Sequence, residues 1–151
     1  MKLAKALAPA ALLALAFAAP ARAVTVTKVD DLAFGAVLSG MGGSVSVPSS
    51  TGVASDTGVR LRGSQFPQPG AASFDVLNDT ASAQTYTLTL QSSPTDLDGI
   101  ALSIAAPSQG SVTLNPGQSA RIYVGGTLSL SGALVASGAH AATVPLTLLA
   151  Q

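Results

Sequence analysis

Beyond residue 23, apolar and polar positions alternate with a period of two, in short segments separated by clusters of Gly, Pro, Ser, Asn and Asp. Such alternation places successive side chains on opposite sides of an extended chain, so it predicts half-buried β-strands. Short strands between turn clusters are typical of an antiparallel sandwich or barrel. We predict strands over residues 24–29, 32–38, 44–47, 59–63, 72–77, 84–91, 100–105, 111–114, 120–130 and 141–149.

The clearest alternation lies in residues 84–90, where Tyr86, Leu88 and Leu90 share one face and three threonines share the other. The first face is predicted to join the core and the second to meet water. The same alternation places further side chains in the core: Phe74, Val76, Ile122, Val124 and Leu128.

Two glycine-containing motifs add to this pattern. Gly125 and Gly126 interrupt the segment 120–130, and paired glycines within a strand indicate a bulge or a close backbone approach, with a ligand-facing surface as the alternative. The sequence Asn115-Pro116-Gly117 places Pro and Gly at the two central positions of a type II turn. We expect that turn to link two antiparallel neighbours.

The first 23 residues predict a cleavable signal peptide helix. Lys2 and Lys5 give a positive start, residues 6–19 are apolar, and Ala21-Arg22-Ala23 matches the small-x-small cleavage pattern. The apolar run is shorter than the roughly 20 residues that a membrane-spanning helix needs. We therefore expect secretion to the periplasm, the extracellular space or the cell surface, without membrane insertion.

Removal of the signal peptide leaves one predicted domain, residues 24–151. The net charge of this domain differs from that of the full chain. Four basic residues then stand against seven aspartates, a formal net charge of −3. Basic residues so few and scattered do not match the phosphate backbone of a nucleic acid, so nucleic-acid binding is not expected.

The mature segment offers little reactive chemistry. It has no cysteine or glutamate, and His140 is the single histidine of the chain. Because catalysis needs several such groups held together, we predict no catalytic residue, no cofactor and no enzyme activity. Asp30, Asp31, Asp96 and Asp98 leave two interpretations open, calcium ligands or turn residues that bond nearby amides. Neither pair approaches the six to eight oxygens that calcium takes, so we predict no metal site.

Three segments carry a family pattern: residues 31–35 (DLAFG), 72–76 (ASFDV) and 122–128 (IYVGGTL). Together they resemble a bacterial secreted family catalogued as domain of unknown function 4402, over nearly all of the mature chain. That family looks related to spore coat protein U domains and to chaperone-usher pilins, so the resemblance implies an all-β, antiparallel immunoglobulin-like β-sandwich.

In pilins of that type, one strand is lacking and the N-terminal extension of a neighbouring subunit fills the groove by strand addition. The resemblance therefore implies that strand edges pair with the same protein or with other exported subunits. It also implies a periplasmic chaperone as a partner.

Val24 and Val26, at the new N-terminus, are candidate partner-binding residues because they share one face of the segment 24–29. Lys28 takes the next position on that face, and Val29 falls on the opposite face. Two interpretations stay open, because the segment either pairs within its own sheet or is donated to a neighbour. At the other end of the chain, Pro145 interrupts the last predicted strand. Because proline has no amide hydrogen to donate to a ladder, it is expected only on an edge strand or at a bulge.

Arg60, Arg62 and Phe66 are the other candidate partner-binding residues. The arginines alternate with Val59 and Leu61, so they are predicted to share the solvent face of a short strand, where charge blunts an edge against aggregation. An anionic polysaccharide or a protein partner is the alternative use of the pair. Phe66 lies in a proline-containing loop, and we assign it a predicted contact role.

These observations favour an exported, non-enzymatic structural or surface-associated protein, such as a fimbria-like or coat subunit that assembles by β-strand pairing. The alternative is a monomeric extracellular binding module for a glycan or a protein partner.

Overall fold

The computed structural model of this protein describes residues 24–38, 40–91, 100–133 and 144–151. Within these ranges the chain forms strands joined by turns and bends, without a helix, and every strand pairing is antiparallel. The predicted all-β antiparallel class is therefore confirmed, whereas the predicted signal peptide lies outside the described residues. The strands are β1 (Thr25–Asp30), β2 (Gly42–Val47), β3 (Ser55–Asp56), β4 (Ala72–Leu77), β5 (Gln84–Leu90), β6 (Ile100–Pro107), β7 (Ser111–Leu114), β8 (Ser119–Ser131) and β9 (Leu146–Ala150).

The larger sheet is organised around the long strand β8. Residues 126–130 of β8 pair with both β2 and β6, so these two strands lie on opposite edges of β8. Residues 119–124 pair with β4, which in turn pairs with β1, and β3 lies outside β2. A second, three-stranded sheet has the order β7-β5-β9.

The inner faces of the two sheets meet in one hydrophobic cluster, here called the first cluster. Val76 and Ile122 of the larger sheet pack there with Tyr86, Leu88 and Leu114 of the three-stranded sheet, all five buried. A second cluster lies at the other end of β8 and contains Val45, Val59, Ile100 and Leu130. The arrangement is β-sandwich-like, and the predicted core positions Tyr86, Leu88, Val76, Ile122 and Val124 are buried as expected.

A buried amide ties the two sheets together at one end of the first cluster. The side chain of Asn78, directly after β4, has no exposed surface. Its Nδ2 donates to the carbonyl oxygens of Leu114 (2.8 Å) and Ser82 (2.9 Å). Its Oδ1 accepts from the Tyr86 hydroxyl (2.9 Å), the Thr80 amide (3.0 Å) and the Thr80 hydroxyl (2.6 Å). Every polar atom of this side chain is thus paired, as burial requires.

The backbone of Asn78 is bonded as well, to the turn that follows β7. Its amide donates to the carbonyl of Gln118 (3.0 Å), and its carbonyl accepts from the Gly117 amide (2.8 Å). Gly117 has a φ of +75°, and the Gln118 amide donates to the Asn115 carbonyl, which confirms the predicted turn. The expectation that this turn links paired neighbours was wrong, because β7 and β8 belong to different sheets.

Gly125 marks the point where the pairing partner of β8 changes from β4 to β2. A Cβ atom at this position would overlap the Val47 carbonyl oxygen and lie 2.7 Å from the Ser49 amide nitrogen. Opposite Gly125, β6 carries an extra residue between Ile104 and Pro107, a bulge in that strand. The predicted close backbone approach at the paired glycines is therefore confirmed.

Two predicted strands, residues 32–38 and 59–63, are wrong. They pair only through the isolated bridges Val37↔Arg60 and Ala33↔Gly70. Gly35, with a φ of +77°, breaks the extended conformation of the first segment. The alternation in these segments instead reflects side chains that belong to the second cluster, as Val59 does, or that pack against it, as Phe34 and Val37 do.

The last strand also differs from its prediction. Residues 141–143 of the predicted segment lie outside the described part of the chain, and β9 begins only after Pro145. The Pro145 carbonyl accepts a hydrogen bond from the Gln91 amide (3.2 Å). The proline therefore lies at the end of the hydrogen-bond ladder between β5 and β9 and not within it. The short strand β3 lies in a segment for which no strand was predicted.

Asn78→Ala is expected to lower the free energy of unfolding by about 3 kcal/mol or more, because the Tyr86 hydroxyl and the Leu114 carbonyl lose a buried partner, each costing about 1–3 kcal/mol. The matched control is Asn115→Ala at an exposed turn position, with an expected change within about 0.5 kcal/mol. Urea titration followed by far-ultraviolet circular dichroism measures both, and equal losses would contradict the role of Asn78.

Gly125→Ala is expected to destabilise the fold by about 1–3 kcal/mol or more, because the added methyl group meets the backbone of residues 47–49. Gly110→Ala is the control, since a Cβ at Gly110 meets nothing within 4 Å. Thermal melting of the two variants compares the sites. Equal melting temperatures for Gly125→Ala and Gly110→Ala would show that the fold accommodates the added methyl group at Gly125 without loss of stability.

Candidate strand-edge interfaces and arginine cluster

Strand β1 forms an edge of the larger sheet and carries the candidate Val26, and the candidate Val24 directly precedes it. It pairs with β4 from Thr25↔Leu77 to Asp30↔Ser73, and all six of its residues are exposed. Val24, just before the strand, packs against the first cluster. Of the two interpretations of this segment, pairing within its own sheet is the one that the structure has.

Charges and an irregularity protect part of the β1 edge. The register shifts between Lys28 and Asp30, so Val29 is an extra, bulged residue. Lys28 Nζ lies 2.8 Å from an Asp31 carboxylate oxygen, and Asp30 accepts a 2.7 Å hydrogen bond from the buried Ser73 hydroxyl. Bulges and charged side chains are the usual means of discouraging pairing at an edge.

Strand β9 forms the corresponding edge of the three-stranded sheet, and it lacks such protection. It pairs with β5 from Leu146↔Leu90 to Ala150↔Tyr86 without a register shift. Its sequence LTLLA has no charged residue, and Leu149 is 55% exposed. Among the residues that the structure describes, no strand pairs with the other side of β9.

Arg60 and Arg62 do not share a solvent face, which corrects the sequence-based prediction. The side chain of Asp56, 1% exposed, lies between them, 2.8 Å from Nη2 of Arg62 and 3.5 Å from Nε of Arg60. The Gly58 amide donates to the same carboxylate (2.8 Å). Arg62 is 70% exposed, but Arg60 is 12% exposed, and its Nε is buried without a hydrogen bond. Because residues 59–63 are not a strand, their alternation does not place the arginines together in water.

Phe66 is half-buried in the loop between Gly63 and Gln68. Its amide donates to the Gly63 carbonyl (3.2 Å), and its carbonyl accepts from Nε2 of Gln68 (2.9 Å). These hydrogen bonds lie within the loop and stabilise its backbone conformation. The structure places Arg62 and Phe66 in one loop, whereas Val26 lies on β1 and Val24 just before it.

An ion pair that the sequence patterns did not reveal lies on the exposed face of the larger sheet. Arg121 on β8 donates two hydrogen bonds of 2.8 Å to the two carboxylate oxygens of Asp75, its paired residue on β4. These hydrogen bonds hold the pKa of Asp75 below its usual range and raise the pKa of Arg121. Only the strand register brings the two together, so sequence spacing carries no signal for the pair.

Asp30 and Asp31, considered above as calcium ligands, each have a protein partner. Within the described ranges, no three His, Cys, Asp or Glu side chains are grouped so that they could hold a metal ion. Asp96, Asp98 and His140 lie outside those ranges. A search of the described residues likewise finds no helix with the length and hydrophobicity needed to cross a membrane.

Comparison with known proteins identifies a family. A family model described as "Domain of unknown function (DUF4402)" matches residues 24–149, from the residue before β1 into β9. No curated protein and no solved structure matches the chain.

Asp56→Asn is expected to lower the free energy of unfolding by about 3 kcal/mol, because it leaves the largely buried charge of Arg60 without a counter-charge. The control is Asp31→Asn, which removes the 79% exposed partner of Lys28 and should change stability by less than about 1 kcal/mol. Urea titration of both variants is the measurement. Equal, small losses would mean that hydration, and not Asp56, stabilises the charge of Arg60.

Proposed function

The chain belongs to the family of domain of unknown function 4402, and from this premise we propose that it is an exported, non-enzymatic structural or surface-associated protein that assembles through its strand edges. The single observation that carries the proposal is that each sheet has an exposed edge strand, β1 in the larger sheet and β9 in the three-stranded sheet, at which no further strand pairs among the described residues. Unpaired edge strands are templates for strand addition.

The all-β architecture fits the immunoglobulin-like sandwich that we propose for this family. We also propose that the family is related to spore coat protein U domains and to chaperone-usher pilins. In this proposal, residues 1–23 direct the chain to the periplasm or the cell surface and are then removed. A periplasmic chaperone is the proposed transient partner, because an apolar edge such as β9 needs cover until it reaches its final partner.

The internal pairing of the polar side chains supports a structural rather than an enzymatic role. Asn78 is occupied by bonds between the sheets, Asp56 by two arginines, and Asp75 by Arg121. These groups are used to hold strands and loops together. No cofactor forms part of the proposal.

The alternative function, a monomeric binding module for a glycan or a protein, draws its support from Arg62, which is exposed in the same loop as the half-buried Phe66. Arg60 contributes less than expected because its side chain is largely buried. This alternative predicts that Arg62→Ala with Phe66→Ala abolishes retention on a cell-surface extract while the protein stays monomeric.

Assembly is tested with protein that has been exported and processed with its own leader. Light scattering over a concentration series should show reversible association, and electron microscopy should show oligomers or fibres at high concentration. Leu149→Lys should suppress association, because it places a charge on the β9 edge.

Val53→Lys is the matched control. It makes the same kind of change at a side chain that is 92% exposed and outside every strand, and it should leave association unchanged. A protein that is monomeric at every concentration, with no assemblies in the microscope, would refute the proposed function.

A further inference from the structure

We propose that two copies of this chain associate by antiparallel pairing of β9 with β9, which joins their three-stranded sheets into one continuous sheet of six strands. This inference rests on the proposed function, and it names the edge and the partner. The partner is a second copy of the chain, and the contact is related by a two-fold axis.

Among the described residues, β3, β6 and β7 also have one side at which no strand pairs, but β3 and β7 have only two and four residues and β6 carries a bulge, so β1 and β9 are contrasted as the candidates. β1 carries a bulge at Val29 and the ion pair of Lys28 with Asp31, both of which disfavour an added strand. β9 carries neither, and residues 144–151 contain no charged side chain. A second β9 can therefore approach without burying a charge or placing like charges opposite each other.

The side-chain alternation of β9 makes it self-complementary. Leu146 and Leu148 pack against the first cluster on the inner face, opposite Leu90 and Leu88 of β5. Leu149 lies on the outer face. Directly opposed residues in an antiparallel pair share a face, so both inner faces stay continuous when Leu148 lies opposite Leu148 of the second copy.

In that register, the outer face brings Thr147 of each copy opposite Leu149 of the other. A polar side chain then lies beside an exposed leucine, which loses part of its contact with water. A shift of one residue would place the cores of the two copies on opposite sides of the joined sheet. Registers centred on Thr147 or Leu149 also keep the two cores on one side, but only the register centred on Leu148 pairs all five residues of β9, so it is the favoured one.

The size of the contact sets its strength. Stable interfaces bury about 1,200–2,000 Å² in total, and two five-residue edges paired side by side bury less. The dimer should therefore be weak and concentration-dependent, so covalent trapping is the sharper readout. A two-fold contact is also closed, which means that assembly beyond the dimer must use a different edge.

The absence of cysteine from the chain allows a clean trapping experiment. Thr147→Cys and Leu149→Cys are made separately, both at outward-facing positions where truncation costs little. Under mild oxidation, the mixture of the two proteins should give a disulfide-linked dimer, because opposed Cβ atoms lie about 4.5–5.5 Å apart. Each variant alone should give far less, because its own copies are diagonal, about 7–8 Å apart.

A third variant, Thr27→Cys on β1, tests the competing head-to-tail contact. Preferential trapping of Thr27→Cys with Leu149→Cys, or no trapping in any mixture, would overturn the inference. Circular dichroism of each variant must match the unmodified chain. As a check that needs no cysteine, Leu149→Lys should abolish and Val53→Lys should preserve the concentration-dependent dimer seen by light scattering.

The two proposals fail differently. If the unmodified chain assembles but the mixture of Thr147→Cys and Leu149→Cys is not trapped, the β9 contact is wrong and assembly by another edge stands. If the unmodified chain is monomeric throughout, both proposals are wrong.

Discussion

The buried side chain of Asn78 is the constraint on which the arrangement of the two sheets depends. Burying an amide without partners costs several kcal/mol, so its hydrogen bonds must all be made at once. Its partners are the Leu114 carbonyl at the end of β7, the Tyr86 hydroxyl on β5 and the turn residues Thr80 and Ser82. The three-stranded sheet cannot slide along the larger one without breaking several of these bonds. The apolar first cluster supplies the driving force for packing, and Asn78 selects one alignment from those that the cluster alone would allow.

The sequence predicted the strands whose alternation reports real burial and failed where burial had another cause. The segments 72–77 and 111–114 match β4 and β7 residue for residue, and each contains buried apolar side chains, Ala72 and Val76 in β4 and Leu114 in β7. The segments 32–38 and 59–63 alternate too, but they cover the second cluster as irregular chain. Alternation records which side chains are buried and not which backbone pairs with which. For the same reason, the sequence did not reveal that β7 and β8, on either side of one turn, belong to different sheets.

The candidate site could be predicted only in part, for the same reason. Val24 and Val26 could be chosen as partner-binding candidates because they share one face of a short alternating segment. The burial of Arg60 could not be predicted from the sequence. It depends on the ion pair with Asp56 and on the backbone bridge to Val37, which together bring the Arg60 side chain out of water. The unprotected edge of β9 was hidden as well, since edge status is a property of the topology. Asn78 was missed because Asn followed by Asp and Thr has the composition of an ordinary turn.

The central position of β8 affects the timing of folding. Its neighbours β2, β4 and β6 all precede it in the chain and contact it over most of their length. A chain that crosses a membrane from its N-terminus onward, as we propose for this one, has no completed sheet to form until residues 119–131 have passed. Contacts between segments distant in sequence form slowly. In the export that we propose, the order of the strands therefore couples completion of the larger sheet to nearly complete translocation.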